Sequence, residues 1–241
     1  MDSYLHAQFA EIEWSHWWFL GRRAILRDVL ARHVGPRAEI LDVGCGAGAL
    51  IPSLRELGTV TAMDTSAEAL DYCQPLFPGV TFLKGIVPDD LPPGRQYGLV
   101  TAFDVIEHID DDVAALASLR DVLAPGGRLV CTVPAYQWMW SPHDDLNDHK
   151  RRYTARLLRS RLEAAGFTVD KLSYFNTLLF PVVAFLRVFR RHVLRKTEPS
   201  SDFELPAPPV NRALAALMGS ERFMLRKGSL PFGVSIVAVA H

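Results

Sequence analysis

Between residues 38 and 133 short apolar runs alternate with stretches of helical period: Ile40-Leu41-Asp42-Val43, Val60-Thr61-Ala62-Met63, Val80-Thr81-Phe82-Leu83, Leu99-Val100-Thr101-Ala102-Phe103 and Leu129-Val130-Cys131-Thr132-Val133. Strands separated by helices predict an α/β doubly wound fold, a parallel sheet covered on both faces. Helix boundaries are marked locally. Ser66 offers an N-cap to a helix carrying Ala67, Ala69 and Leu70 toward Pro75, and Asp110-Asp111-Asp112 places negative charge at the start of another that runs to Leu123. Ala124-Pro125-Gly126-Gly127 predicts a stop and a turn into the next strand. Tyr153-Thr154 opens a helix through Leu157, Leu158, Leu162 and Ala165 that ends at Gly166, followed by a strand from Phe167 to Leu172, and Val234 to Ala240 reads as the last strand. About sixty residues separate those two strands, far more than a hairpin needs, which predicts a helical cap over the working edge of the sheet. Residues 1 to 33 read as helix, rich in aromatics at Trp14, Trp17, Trp18 and Phe19.

Composition narrows the class. The 241 residues are 49% hydrophobic and carry 26 Lys and Arg against 27 Asp and Glu, a formal net charge of -1. A core can form, disorder is excluded as the main state, and no global basic character points to coating nucleic acid. Cys45, Cys73 and Cys131 are an odd set with no CxxC spacing, so neither a disulfide framework nor a zinc cluster is suggested and a reducing, cytoplasmic compartment is expected. The N-terminus lacks the basic and apolar segments of a secretory signal. The longest apolar run, Leu178 to Leu186 with Pro181 inside it, is about half the ~20 residues that span a bilayer.

Leu41-Asp42-Val43-Gly44-Cys45-Gly46-Ala47-Gly48 carries the most chemistry. A strand running into a glycine-dense turn and then a helix lets backbone approach a ligand closely and aims N–H groups at negative charge. Asp64 follows twenty residues after Gly44, where a carboxylate can accept both hydroxyls of a ribose. Spacing alone leaves two cofactors open, because Gly44-x-Gly46-x-x-Ala49 also fits a dinucleotide fingerprint and hence a nicotinamide-dependent oxidoreductase.

The wider string resembles the class I S-adenosylmethionine-dependent methyltransferases: Asp42 two positions before Gly44, then Asp64, then Phe103-Asp104-Val105-Ile106-Glu107-His108, then Leu123-Ala124-Pro125-Gly126-Gly127-Arg128-Leu129. The leading His16-Trp17-Trp18-Phe19-Leu20-Gly21-Arg22-Arg23 and the later His149-Lys150-Arg151-Arg152-Tyr153-Thr154 resemble a bacterial small-molecule subfamily of that group. The resemblance implies a Rossmann-like seven-stranded sheet with an antiparallel last strand. It implies one domain: an N-terminal helical lid (1 to 33), a cofactor-binding core (38 to 174), a helical cap insertion (175 to 230) and a last strand (231 to 241). It also implies S-adenosyl-L-methionine held by Asp42, Gly44, Cys45, Gly46, Gly48, Asp64, Thr65, Phe103 and Asp104. Trp18 would close over it, and Arg22 or Arg23 would meet its methionine carboxylate. Where many relatives read adenine with an acid after the third strand, Gly85 is followed by Ile86, leaving backbone, Asp89 or Asp90 for that task.

Methyl transfer needs in-line alignment and, for a protonated acceptor, a base. Asp104 and His108, four residues apart, would form a carboxylate-oriented imidazole in one-turn geometry; His143 with Asp144, and His149 with Arg151, Arg152 and Tyr153, are further candidates for base, orienter and anion clamp. Each also has a plain structural reading as a cap or a packed loop. A metal held by His143, Asp144, Asp145 and His149 has the right ligand types but no supporting motif, so none is expected.

The expected reaction is methylation of a small molecule, most simply at oxygen. A nicotinamide oxidoreductase and a cofactor-binding module without catalysis are the alternatives. Nucleic acid is disfavoured as substrate, since the basic residues sit beside apolar ones and do not interleave with stacking aromatics. Charge is nevertheless segregated: residues 150 to 196 hold twelve Lys or Arg against Glu163 and Asp170. The stretch 176 to 196, apolar and then basic, reads either as a cap helix with solvated arginines or as a peripheral seat on anionic lipid, and both suit a lipophilic or anionic acceptor.

Overall fold

The computed structural model describes residues 11 to 35, 37 to 189 and 205 to 241. Seven strands form one sheet: β1 (Ala38–Val43), β2 (Gly58–Asp64), β3 (Thr81–Lys84), β4 (Tyr97–Phe103), β5 (Leu123–Pro134), β6 (Val169–Phe175) and β7 (Ser235–Ala240). Their order is β3-β2-β1-β4-β5-β7-β6. The pairs from β3 to β5 are parallel and β7 runs antiparallel to both β5 and β6. The doubly wound sheet expected from the alternation is therefore present, with its reversal of strand order between β1 and β4, where ligand crevices form in such sheets.

Side chains on these strands alternate between two cores. Leu41, Val43, Val100, Ala102, Leu129 and Cys131 face α4 (Asp112–Asp121) and α6 (Ala155–Ala164). Ile40, Val60, Ala62, Leu99, Val130 and Val237 face α1 (Trp17–His33) and α8 (Pro208–Leu225). The period of two that marked the strands in sequence sorts their residues onto opposite faces. Two short helices, α2 (Ile51–Arg55) and α3 (Ala67–Cys73), add Ile51, Leu54, Leu70 and Cys73 to the second core. The expected caps form: Ser66 Oγ accepts from Ala69 N, Asp111 from Ala114 N and Thr154 from Leu157 N.

Three elements differ from expectation. Residues 11 to 15 are helical, but His16 interrupts the N-terminal helix and caps α1. Asn211 on α8 holds that break, accepting from Trp17 N at 2.7 Å and donating to Ser15 O at 2.8 Å. The expected turn at Ala124 to Gly127 lies inside β5 as a bulge, because Tyr97 pairs with Leu123 and Leu99 with Arg128. Gly126, at φ 77°, takes the conformation that loops the extra residues out. The long insertion divides as well: α7 (Phe180–Phe189) stands at the C-terminal end of the strands, whereas α8 lies against α1 on the sheet face. Arg190, Arg191, Arg195 and Lys196 of the expected basic cluster fall outside the described residues, as do residues 1 to 10.

The α1–α8 contact depends on small residues. A Cβ on Gly21 would stand 2.8 Å from Met218 Cβ, and one on Gly219 3.3 Å from Ala24 Cβ. Replacing Gly21 by Val should push the helices apart and cost about 1–3 kcal/mol, as overpacking does; equilibrium denaturation reads this, and unchanged stability would show that the crossing is loose. A second interior constraint is Asp42, buried on β1, whose Oδ1 accepts from Thr101 Oγ1 on β4 at 2.6 Å. Burial raises its carboxyl to about 7, and the Thr101 hydroxyl offsets part of that rise. A raised carboxyl favours the native state while protonated, so its contribution is complete below the ordinary value of about 4 and is lost as pH climbs through about 7. Asp42→Asn keeps the acceptor oxygen without the charge, so its advantage in melting temperature over wild type should grow between pH 4 and 7 and level off above. An advantage that does not vary with pH would refute the assignment.

Candidate functional site

The first half of the site is the turn after β1. Gly44 N and Cys45 N both donate to Met63 O, at 2.8 and 3.1 Å, which ties the turn to β2. Gly44, Gly46 and Gly48 have φ of 71°, 53° and 77°. A Cβ on Gly44 would clash with Val105 Cγ2, and one on Gly48 would lie 2.6 Å from Phe77. The glycines are thus required twice, for a left-handed backbone and for close approach. Asp64, at the end of β2, fixes the turn further: Oδ2 accepts from Gly46 N at 2.8 Å and Oδ1 from Ser66 N at 2.9 Å. Each oxygen keeps a lone pair for another donor. Thr65 beside it is exposed.

A residue that sequence reasoning missed occupies this turn. The Glu13 carboxylate accepts from Ala47 N at 2.9 Å and from Ala49 N at 3.4 Å, and burial raises its pKa. The turn therefore presents N–H groups to a carboxylate, as a site for an amino-acid carboxylate must. Arg23 donates to Ala49 O at 3.3 Å and lies over the Trp14 ring. At the exit of β3, Ile86 is exposed and its N–H donates to Asp90 Oδ2 at 3.0 Å. Of the two acids considered there, Asp90 is the one held against Gly85 and Ile86.

The second half begins where β4 ends. Asp104 takes φ 57°, and its Oδ2 pairs with Arg22 Nη2 at 2.5 Å. Thr132 Oγ1 on β5 donates to Asp104 Oδ1 at 3.1 Å and accepts from Arg22 at 3.3 Å. The Arg22 guanidinium also lies over the rings of Trp18 and Phe103. This corrects two expectations. Arg22 spends its charge on Asp104 where a methionine carboxylate was expected, and the Asp104 carboxylate therefore orients Arg22, while it is the Asp104 backbone that hydrogen-bonds His108.

Beyond Asp104 a cavity of about 390 Å³ opens, walled by α1, by the segments following β4 and β5, and by α7. Its apolar side includes Trp17, Phe19, Val183 and Leu186. Tyr136 stacks on Tyr174, at 5.2 Å between centroids, and on Trp138, at 5.7 Å. Its polar side gathers Glu107, His108, His143, His149 and Asn176. All three candidate histidines thus meet in one space.

Their partners differ from the sequence pairing. Asp144, fully buried in the short helix α5 (Pro142–Leu146), does not orient His143. Its Oδ1 meets His149 Nδ1 at 2.8 Å, and both oxygens accept from Arg152, at 2.7 and 3.0 Å. Hydrogen bonds and the Arg152 charge outweigh burial and hold the Asp144 carboxyl well below the usual range. His143 instead neighbours Asn147, 3.3 Å from its amide nitrogen. Burial, and then the nearby His149, lower the His108 pKa. The expected anion clamp is absent from the described residues: Arg152 is paired with Asp144, Arg151 with Asp112 at 3.0 Å, and the Tyr153 hydroxyl donates to Asp112 at 2.9 Å. Asp145 is taken up by Trp140 Nε1 at 2.9 Å.

Two further wall residues are not singled out by the sequence, although Glu107 lies inside the Phe103 to His108 string. Glu107 is fully buried with neither carboxylate oxygen hydrogen-bonded, and Asn176, at φ 57° after β6, is buried with its side-chain amide unpartnered. An Asn just past a strand, a residue type that tolerates left-handed backbone, is the cue that could have found Asn176.

Residues 19 to 172 match the model of the methyltransferase domain family. The chain is 32% identical over 142 residues to a ubiquinone biosynthesis O-methyltransferase of Klebsiella pneumoniae, covering 52% of this chain and 59% of that one. It is 35% identical over 100 residues to the mitochondrial ubiquinone biosynthesis O-methyltransferase of Schizosaccharomyces pombe, covering 38% and 36%. The chain thus spans less than two thirds of the length of either relative. An S-adenosylmethionine-dependent methyltransferase from Mesorhizobium loti has the same fold, with TM-score 0.58, 15% identity and coverage of 89% and 95%. With its β3-β2-β1-β4-β5-β7-β6 sheet, its glycine turn and Asp64 after β2, this chain belongs to the methyltransferase domain family, in the class I S-adenosylmethionine-dependent fold.

Proposed function

We propose that the protein transfers a methyl group from S-adenosylmethionine to a hydroxyl oxygen of a small, largely apolar acceptor. The observation that carries this reading is the juxtaposition at Asp104: the glycine turn lies on one side and the histidine-walled cavity on the other, both at the C-terminal end of the parallel strands. The names of the two relatives, both O-methyltransferases, support oxygen as the acceptor atom.

The residues present fit the cofactor. The backbone from Gly44 to Gly48, with Cys45, takes the methionine part, and the Ala47 and Ala49 N–H groups take its carboxylate once Glu13 gives way. Asp64 takes the ribose hydroxyls, with Thr65 beside it, and Gly85 and Ile86 border the adenine. Asp42 supports the turn from below, while Phe103, Asp104 and Trp18 close the side toward the acceptor. The cofactor supplies an electrophilic methyl on a sulfonium, which neutralises when the methyl leaves. The chain's task is to align the acceptor and strip its proton. Asp144 accepts from His149 Nδ1–H, which leaves the Nε2 lone pair for the acceptor hydroxyl; His108 and His143 complete that wall. Val183 and Leu186 of α7 line the cavity, and Leu186 is also exposed, which suits an acceptor with a lipophilic tail.

Incubation with S-adenosylmethionine labelled at the methyl group and a panel of phenolic lipids should yield a base-stable ether, while calorimetry should show S-adenosylhomocysteine binding. Asp64→Ala should weaken that binding about 10- to 100-fold through the lost hydrogen bonds to a charged group. His149→Ala should cut turnover about 100-fold without weakening cofactor binding, and His143→Ala should cut it less. Tight NAD binding with no affinity for S-adenosylhomocysteine would sink the proposal.

A further inference from the structure

Among the described residues, Asn176 is held in place by its backbone. At φ 57°, just past β6, it takes a conformation that glycine adopts without strain. Its carbonyl accepts from Val234 N at 3.4 Å. The Glu221 carboxylate of α8 faces the N–H groups of Asn176, Thr177 and Leu178, and accepts from the last at 2.8 Å. Thr177 Oγ1 donates to Phe232 O, which pins the segment from the other side. None of these contacts uses the Asn176 side chain. Its amide is buried, and neither the oxygen nor the nitrogen has a hydrogen-bond partner. Glycine would give the same backbone with no polar group to desolvate, so the amide is the part of Asn176 that the fold does not use.

The amide belongs to a residue of the cavity wall, and the sheet places that residue away from the reacting end. Strands β5 and β7 lie between β4 and β6, so the ends of β4 and β6 stand about 14 Å apart. His108 and His149 meet at the β4 end, where Lys150 N donates to Glu107 O at 2.8 Å. Asn176 stands at the β6 end, next to Ser235, a second polar wall residue, which pairs with Phe175.

We infer that Asn176 is a specificity-determining residue whose amide binds a second polar group of the acceptor, one that both donates and accepts hydrogen bonds, remote from the oxygen that is methylated. The class of group follows from what the amide lacks: Nδ2 needs an acceptor and Oδ1 needs a donor. A hydroxyl is the smallest group that supplies both. An ether, a ketone or a carboxylate supplies acceptors only and leaves Oδ1 buried and unpaired. The separation of β4 from β6 sets the shape as well, placing the two oxygens at opposite ends of a ring body and not on neighbouring carbons. Val183 and Leu186 wall the same cavity and suit that body.

That the occupant is the methyl acceptor rests on the proposed methylation; the hydroxyl subsite at Asn176 does not. Calorimetry in the presence of S-adenosylhomocysteine compares probes that differ by one hydroxyl: para-cresol with para-hydroxybenzyl alcohol, and para-phenylphenol with para,para-biphenol. The wild type should prefer the dihydroxy member of at least one pair by about 10-fold. Asn176→Gly, which keeps the backbone, should abolish that preference by weakening the dihydroxy probe alone, with affinity for the monohydroxy probe and for S-adenosylhomocysteine unchanged. A second measurement needs no variant: the side-chain amide resonance of Asn176 in the wild-type protein should move further with the dihydroxy probe than with its partner. No preference in either pair, a preference that survives Asn176→Gly, or an amide resonance that answers both probes alike overturns the subsite. If the preference depends on Asn176 and yet no hydroxyl is methylated when S-adenosylmethionine is supplied, the subsite stands and the O-methylation reading falls.

Discussion

The Arg22–Asp104 ion pair, with Thr132 joining both partners, fixes the relation between the halves of the molecule. Arg22 comes from α1, Asp104 from the end of β4 and Thr132 from β5, so three elements distant in sequence share one buried polar node. The chain reaches it by holding Asp104 in left-handed backbone, a conformation uncommon for a residue with a side chain. Desolvating two charges offsets much of what their attraction contributes, so the value of the node lies in position. It seats α1 across the crevice, carries Trp18 against Arg22, and leaves the glycine turn on one side and the cavity on the other.

A second buried charge organises the acceptor side by similar logic. Asp144 accepts from Arg152, His149 and Ser141, and Arg152 donates in turn to Ala135 O at 3.1 Å. The segment between β5 and α6 is thereby folded back on itself around one carboxylate. Every acceptor position of Asp144 that matters to the loop is filled, which is why burial does not force it neutral. The consequence for chemistry is directional: of the three imidazoles, only His149 has its ring fixed by a buried carboxylate.

The sheet and the glycine turn were legible in the sequence because their causes are local. Alternating Ile40 and Leu41, the Ser66 cap and the Gly44 to Gly48 turn each need only their neighbours to be recognised. The pairings of the site were not legible. Asp104 and His108 were matched on the assumption of one α-helical turn, but residues 106 to 108 form a 3-10 turn after a left-handed residue, and four-residue spacing then carries no meaning. His143 and Asp144, adjacent on a short helix, point in different directions, as neighbours on a helix do, and the inward one found a partner five residues on. Glu107 was overlooked because an acid between Ile106 and His108 reads the same whether it faces solvent or an interior.

Among the described residues, buried side-chain polar atoms without partners concentrate where the fold has no structural use for them. Glu107 and Asn176 contribute four of the eight, and both residues wall the same cavity. Native interiors satisfy such groups almost everywhere else, and this protein does so at Asp42, Asp112 and Asp144, each of which has a named donor. A chain able to satisfy its buried acids with Thr101, Tyr153 and Arg152 leaves Glu107 and Asn176 open at the one place where a ligand's own donors or charge would complete them. The surrounding sheet ends add a cost of their own, since the backbone at Asp104, Tyr136 and Asn176 is held in left-handed geometry just after β4, β5 and β6, the arrangement expected when a rigid scaffold is spent on holding a site ready.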